Sequence, residues 1–258
     1  MDDTLLNGRL AFLEFRIRPL EKLVHLFADQ FQKPIRYDSG QQHHGFRYLK
    51  PNVRHFCLLK AVRIVSALNA AIELARKGYA QEICVLIRTL AEYTTHIEFV
   101  LYSIDEFGNL GPEAENYIQA FFADYVRNRA ADFKRAQVSQ RTVNKKIGQT
   151  LNNAKPKDDS EFSGVDAEQL ESNVYRTYSN YVHAKYPEVM DLYGGVPERF
   201  HMRGMKGTPK DDENIDIIDS IITTASLTFR LMIWKLDLYS VVEADTNLKA
   251  WLRTQQAN

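Results

Sequence analysis

The stretch VRHFCLLKAVRIVSALNAAIELARKGYAQEICVLIRTLAEYTTHIEFVLYSI, Val53 to Ile104, decides the fold. Within it Cys57, Ala61, Ile64, Leu68, Ala71 and Ala75 recur at three- and four-residue intervals, which lays one apolar seam along a helix. Gly78 follows Arg76 and Lys77; a glycine after two cations is the usual chemistry of a helix C-terminus. The period then resumes with Ile83, Ile87, Leu90, Thr94, Ile97 and Leu101. Two long helices with matching seams and so short a connection pack back on each other as an antiparallel αα-hairpin.

Working outward, residues 4–32 read as a helix with Leu6, Leu10, Leu13, Leu20, Leu23 and Phe27 inward, and Pro19 predicts a break or kink near Ile17 and Arg18. Residues 34–52 show no clear period. Gly108, Gly111 and Pro112 mark a turn, followed by predicted helices from Glu113 to about Ala136 and from Gln140 to Asn153. A further helix is expected from about Ala167 to Lys185, ending before Pro187. Glycine-rich residues 194–212 read as irregular, with a short strand pair around Arg199 to Met205. The last long helix carries Ile215, Ile218, Ile222, Ala225, Phe229, Met232, Leu236 and Tyr239 at seam positions, and a short one holds Leu248, Trp251 and Leu252.

The expected fold class is therefore all-α: a multi-helix bundle built on the hairpin, with two long irregular loops. Residues 1–258 read as a single helical domain, with 1–52 as a helical N-terminal extension and loop and 53–258 as the bundle core. An exposed apolar seam is expected to make the chain a homodimer.

Lys plus Arg number 33 and Asp plus Glu 33, so no net field steers the whole chain toward nucleic acid. The balance is local, however: between Arg127 and Lys157 Asp132 is the single acid in a basic segment, and acids flank that segment on both sides. Cys57 and Cys84 sit in apolar helical contexts and fit buried thiols of a reducing compartment. No signal peptide is apparent, and no stretch reads as a membrane span, the most apolar one being interrupted by Asp219, Arg230, Lys235 and Asp237. A cytoplasmic protein with no membrane association is the resulting expectation.

Phosphate loops, dinucleotide fingerprints and Cys-x-x-Cys zinc pairs are absent from the sequence. Glu21 with His25 and Glu92 with His96 stand four apart on helices, whereas di-iron bundles use carboxylate and histidine three apart, so neither a metal nor a cofactor is expected.

The most suggestive segment is Tyr175-Arg-Thr-Tyr-Ser-Asn-Tyr-Val-His183. Seven residues advance a helix by about 700°, which brings Arg176 and His183 within about 20° of each other and roughly 10 Å apart along the axis. Ser179 lies between them, and Tyr178 belongs to the same segment. Phosphodiester cleavage needs these types: a guanidinium to neutralise developing oxyanion charge and an imidazole to move protons. Arg18 with His25 and Arg36 with His43 show the same spacing. The structural alternative is that Tyr175, Tyr178 and Val182 serve the core while Arg176 and His183 are solvated or hydrogen-bonded locally.

A second polar cluster sits in the hairpin, where Arg88 and Glu92 stand four apart in an apolar run and Arg63 lies in the partner helix. Charges in such runs are usually paired, so the structural alternative here is an Arg88–Glu92 ion pair.

The Leu-Ile-Arg-Thr-Leu-Ala-Glu92 helix following Leu-Ala-Arg-Lys-Gly78, together with Ser179-Asn-Tyr-Val-His183, resembles a widespread group of uncharacterised bacterial helical proteins. That resemblance covers about Val53 to Tyr193 and implies a fold without an activity. More distantly, Arg176 followed by six residues and His183 resembles the Arg-x(4–6)-His motif of the HEPN superfamily. It implies a helical bundle, commonly dimeric, and in many members metal-independent endoribonuclease activity in stress or defence systems. By that resemblance Arg176 would stabilise the phosphate, His183 would be the acid or base, and the RNA 2′-hydroxyl would be the nucleophile. Thr177 stands where many active members carry Asn. The basic segment would then contact RNA, unless it is a solvated surface balanced by neighbouring acids. The alternative to an RNA-directed protein is a non-enzymatic interaction or small-ligand-binding module with Arg88, Glu92 and His183 in a buried network.

Overall fold

The hairpin forms as its seams dictate. In the computed structural model, which describes residues 2–38, 44–122, 139–154, 176–194 and 198–254, helix α2 spans Val53–Arg76 and α3 spans Ala80–Tyr102. Every seam residue named for them is buried. Asn52 starts α2 with a capping box: its side chain accepts from the Arg54 and His55 N–H groups, while His55 Nδ1 accepts from the Asn52 N–H. At the other end Tyr79 N–H donates to Leu74 O and Gly78 N–H to Ala75 O, with Gly78 at φ +75. This is a Schellman turn with glycine in the left-handed position.

The turn is also held from outside. Met205 N–H donates to Gly78 O at 2.8 Å, and a Cβ on Gly78 would lie 2.2 Å from the Lys206 backbone nitrogen. Gly204 answers it from the other side, since a Cβ there would lie 2.0 Å from Lys77 O. Two glycines thus let two backbones touch, and the loop before the last long helix is fastened to the hairpin turn.

Around the hairpin pack α1 (Asp3–Ala28), α4 (Pro112–Phe122), α5 (Gln140–Ala154), α6 (Tyr186–Met190), α7 (Lys210–Lys235), α8 (Tyr239–Glu243) and α9 (Thr246–Thr254). Residues 176–182 are helical as well. Among the described residues the chain is an all-α bundle with two small hairpins, and one apolar core runs from α1 to α9. α7 packs on α3, α1 and α2, which accounts for its buried Ile218, Ile222, Ala225 and Phe229. Arg9 of α1 bridges Asp212 and Asp216 of α7, and Arg16 bridges Asp219, so ion pairs border the α1–α7 contact.

Several local expectations need correction. α1 continues through Pro19, because Ile17, Leu20, Leu23 and Phe27 are buried on both sides of it. Their burial outweighs the roughly 3 kcal/mol that an interior proline costs. Residues 34–52 contain an antiparallel hairpin, β1 (Ile35–Asp38) with β2 (His44–Arg47), which no periodicity signals. The later strand pair is β3 (Tyr193–Gly194) with β4 (Arg199–Phe200), earlier than predicted. The preceding helix does end before Pro187, which lies in the first turn of the short α6, where a missing N–H is harmless. α7 ends at a Schellman turn with Asp237 at φ +50, so Tyr239 falls in α8 and is exposed. Interrupting charges exclude a membrane span at the level of sequence, yet α7 has the length and composition of one; half of its most apolar window is buried inside the bundle. The predicted continuation of α4 to Ala136, the start of the 167–185 helix and much of the basic segment lie outside the described residues.

Gly78→Ala is expected to destabilise the protein by at least ~1–2 kcal/mol, through left-handed strain and displacement of the Lys206 backbone. Urea unfolding monitored by far-UV circular dichroism measures it; an unchanged midpoint would contradict this account of the turn.

Candidate functional site

Helix 176–182 meets the bundle through two tyrosines. Tyr178 is half-buried and packs on the core, while Tyr181 donates from its hydroxyl to Asp191 Oδ2 at 3.3 Å. Both approach Cys84 of α3 closely enough to affect its ionisation or to be affected by it. Burial pushes the Cys84 thiol up to about 11, so it is a neutral packing group and no nucleophile at neutral pH. Burial, reinforced by Cys84 and Asp191, also pushes the Tyr181 phenol up. Lys210 completes this anchor, 2.7 Å from Glu213 and 4.0 Å from Asp191.

With Tyr178 and Tyr181 inward, helical geometry settles the rest. At about 100° per residue their mean direction lies almost opposite Arg176 and His183. Both of these residues are exposed, and Ser179, on the flank, is half-buried. The structure thus brings Arg176 and His183 onto one solvent face with Ser179 beside them. Val182 is 41% exposed and does not serve the core, whereas Tyr178 does and Arg176 and His183 are exposed, as the structural alternative supposed.

His183 caps the C-terminal end of its helix. Lys185 N–H donates to Asn180 O and Ala184 N–H to Tyr181 O, a third Schellman turn, this time with alanine at φ +45. His183 is exposed at that helix end.

Arg88 and Glu92 form the predicted ion pair, 2.9 Å apart and largely buried along α3. Arg63 is exposed and holds its guanidinium 5.9 Å from the Tyr93 ring centroid. The His183 side chain makes no hydrogen bond or ion pair among the described residues, so it does not join the Arg88–Glu92 pair there.

A third cluster has no counterpart in the sequence reading. Lys60 of α2 is buried, with Nζ 3.2 Å from His96 Nδ1 of α3 and 5.0 Å from the centroids of both Tyr93 and Phe121. His96 in turn lies 5.3 Å from the Tyr117 ring of α4. Among the described residues no carboxylate reaches ion-pair distance of Lys60. Burial lowers its amine to about 8, and the more distant Glu92 opposes that shift. The ammonium donates to His96 Nδ1 and lies against aromatic faces, a cation–π environment that compensates part of the lost hydration. A signal exists: Phe56, Lys60 and Ile64 are four apart, which places Lys60 on the buried seam.

The described part of the basic segment is partly neutralised. Lys146 of α5 pairs with Glu113 of α4, and Val143 and Ile147 face the core. Among the described residues no three His, Cys, Asp or Glu side chains converge as a metal site would require.

Lys60 gives two linked expectations. Its folded-state value is below the unfolded one, so the folded chain bears the cost of a buried charge below about pH 8, and stability from this group rises toward pH 10.5. Lys60→Met should therefore raise the melting temperature at pH 7, and its advantage over the native chain should shrink through that window. Equal melting temperatures at every pH would contradict the assignment. Separately, Ala184→Gly relieves left-handed strain and should stabilise the chain by about 1 kcal/mol in chemical denaturation, while a loss of stability would show the turn to be misassigned.

No protein-family model matches the chain, and neither a curated protein nor a solved structure matches it.

Proposed function

We propose that this helical protein acts on RNA through the solvent face of helix 176–182, as a metal-independent endoribonuclease of HEPN-like type. The observation that carries the reading is the outward placement of Arg176 and His183 opposite the Tyr178–Tyr181 anchor. A phosphodiester reaching that face meets a guanidinium at one end and an imidazole at the other. Arg176 would hold the phosphate and offset charge on its oxygens as the 2′-hydroxyl attacks. His183 would move the proton from its exposed place at the helix end. Ser179 would supply a hydroxyl to the same phosphate or to the ribose. An RNA-binding protein without cleavage uses the same face for the phosphate alone.

A second reading is a non-enzymatic small-ligand-binding module, favoured by one observation. Lys60 is kept buried against His96 at a cost to stability, which is more often tolerated where a charged or proton-exchanging group serves a site. The Arg88–Glu92 pair on the same helix as His96 would border it.

The two readings predict different responses. Incubation of mixed single-stranded RNA with excess chelator should give cleavage that Arg176→Ala and His183→Ala each reduce by about 10²-fold or more, with helical content unchanged. Cleavage that survives both substitutions would overturn the nuclease reading. Binding without cleavage, weakened by Arg176→Ala, would identify a binding protein. The small-ligand reading instead requires thermal stabilisation by an anionic small molecule that Lys60→Met abolishes.

A further inference from the structure

α1 has two apolar faces, and the bundle uses one of them. Leu6, Leu10, Leu13, Ile17, Leu20 and Leu23 are buried in the core. Leu5, Gly8, Phe12, Phe15 and Pro19 repeat at alternating spacings of three and four on a flank about 130° round the helix from that buried face. Leu5 and Phe12 are each 58% exposed and Phe15 is 64% exposed. A three-four seam with large apolar side chains on a water-facing surface is the pattern by which one helix packs on another. A Cβ at Gly8 would meet nothing within 4 Å, so the seam has a gap one turn from Phe12 and two turns from Phe15.

Charge along this face is unevenly distributed. The groove at the N-terminal end, about 620 Å³, is lined by Asp2, Asp216 and Asp219 against Arg9. The groove toward the C-terminal end, about 920 Å³, is lined by Arg16, Arg18, Lys22 and His25 against Glu21 and Asp245. Phe12 borders both grooves. Arg9 is paired with Asp216, Arg16 with Asp219 and Lys22 with Asp245, so the unevenness is an excess of acid at the N-terminal end. A second helix of the same sequence laid parallel would set that acidic end on its own copy. Laid antiparallel about Phe12, it sets Asp2 by Lys22, Leu5 by Pro19 and Phe15 near the gap at Gly8.

We infer that the outer face of α1 is a two-fold interface, with the α1 helices of two copies of this chain packed antiparallel about Phe12. The arrangement is self-complementary in charge, in seam and in the fit of Phe15 to Gly8, as a closed isologous contact requires. Asp2 to Lys22 spans about 30 Å of helix, a length over which a standard interface of about 800 Å² per partner extends. The inference stands on α1 alone and is independent of the RNA reading.

Sedimentation velocity at high micromolar concentration should give the mass of a dimer. Phe12→Glu with Phe15→Glu should weaken association by about 100-fold or more, with helical content and melting retained because both side chains are exposed. Phe12→Cys should form a disulfide-linked dimer under mild oxidation, since the two-fold axis brings the two copies of that residue together. Leu227→Cys, exposed on α7, should not, and the native Cys57 and Cys84 are buried. A native chain that sediments as a monomer would overturn the inference. So would a dimer that survives the double substitution, or one that Phe12→Cys fails to cross-link.

Discussion

The bundle depends on one backbone contact, the meeting of Gly78 with the 204–206 loop. The hairpin seams bring α2 and α3 together, but they do not determine where α7 begins. That is determined when Met205 N–H donates to Gly78 O and Gly204 comes to rest on Lys77 O. Met205 is buried, Thr208 caps back onto it, and Asp211 accepts from the Gly207 N–H, so the chain enters α7 directly from this strap. Once its start is fixed, α7 lies along α3, and α1 packs against α7 and α2. Any side chain at Gly78 would push the strap away.

The hairpin is legible because burial and helical period agree over many turns. Cys57 to Ala75 and Ile83 to Leu101 need no tertiary information, and every seam residue along them is buried. Pro19 misleads because local chemistry predicts a break, while the decision rests with apolar residues on both flanks that share one core. The β1–β2 hairpin is invisible in a segment without alternation. Ala184 gives no signal at all: a left-handed residue is anticipated at glycine, and here an alanine adopts it. The strap cannot be read either, since Gly204 marks a turn in sequence but not the backbone that it meets.

The candidate site divides the same way. Spacing places Arg176 and His183 on a common face, and the Arg88–Glu92 pair follows from two opposite charges four residues apart in an apolar run. Which way the 176–182 face turns is tertiary information, supplied by Tyr178 and Tyr181 settling near Cys84. Lys60 is easily overlooked because a single lysine in an apolar stretch reads as a side chain that snorkels to water. Its burial depends on Phe121 and Tyr117, which arrive from α4, far along the chain. Arg176 and His183 face solvent and destabilise the fold little, whereas Lys60 is held inside against a loss of stability. An encounter surface for a polyanion suits the first arrangement, and selection of a small ligand suits the second.

The most direct test of the RNA-directed account is photo-cross-linking of thiouridine-substituted single-stranded RNA to the native chain, with the modified peptides mapped by mass spectrometry. The account predicts cross-links concentrated around residues 176–185, declining as salt rises and lost in Arg176→Ala. Cross-links confined to other faces of the bundle, or a yield indifferent to salt and to Arg176, would contradict it.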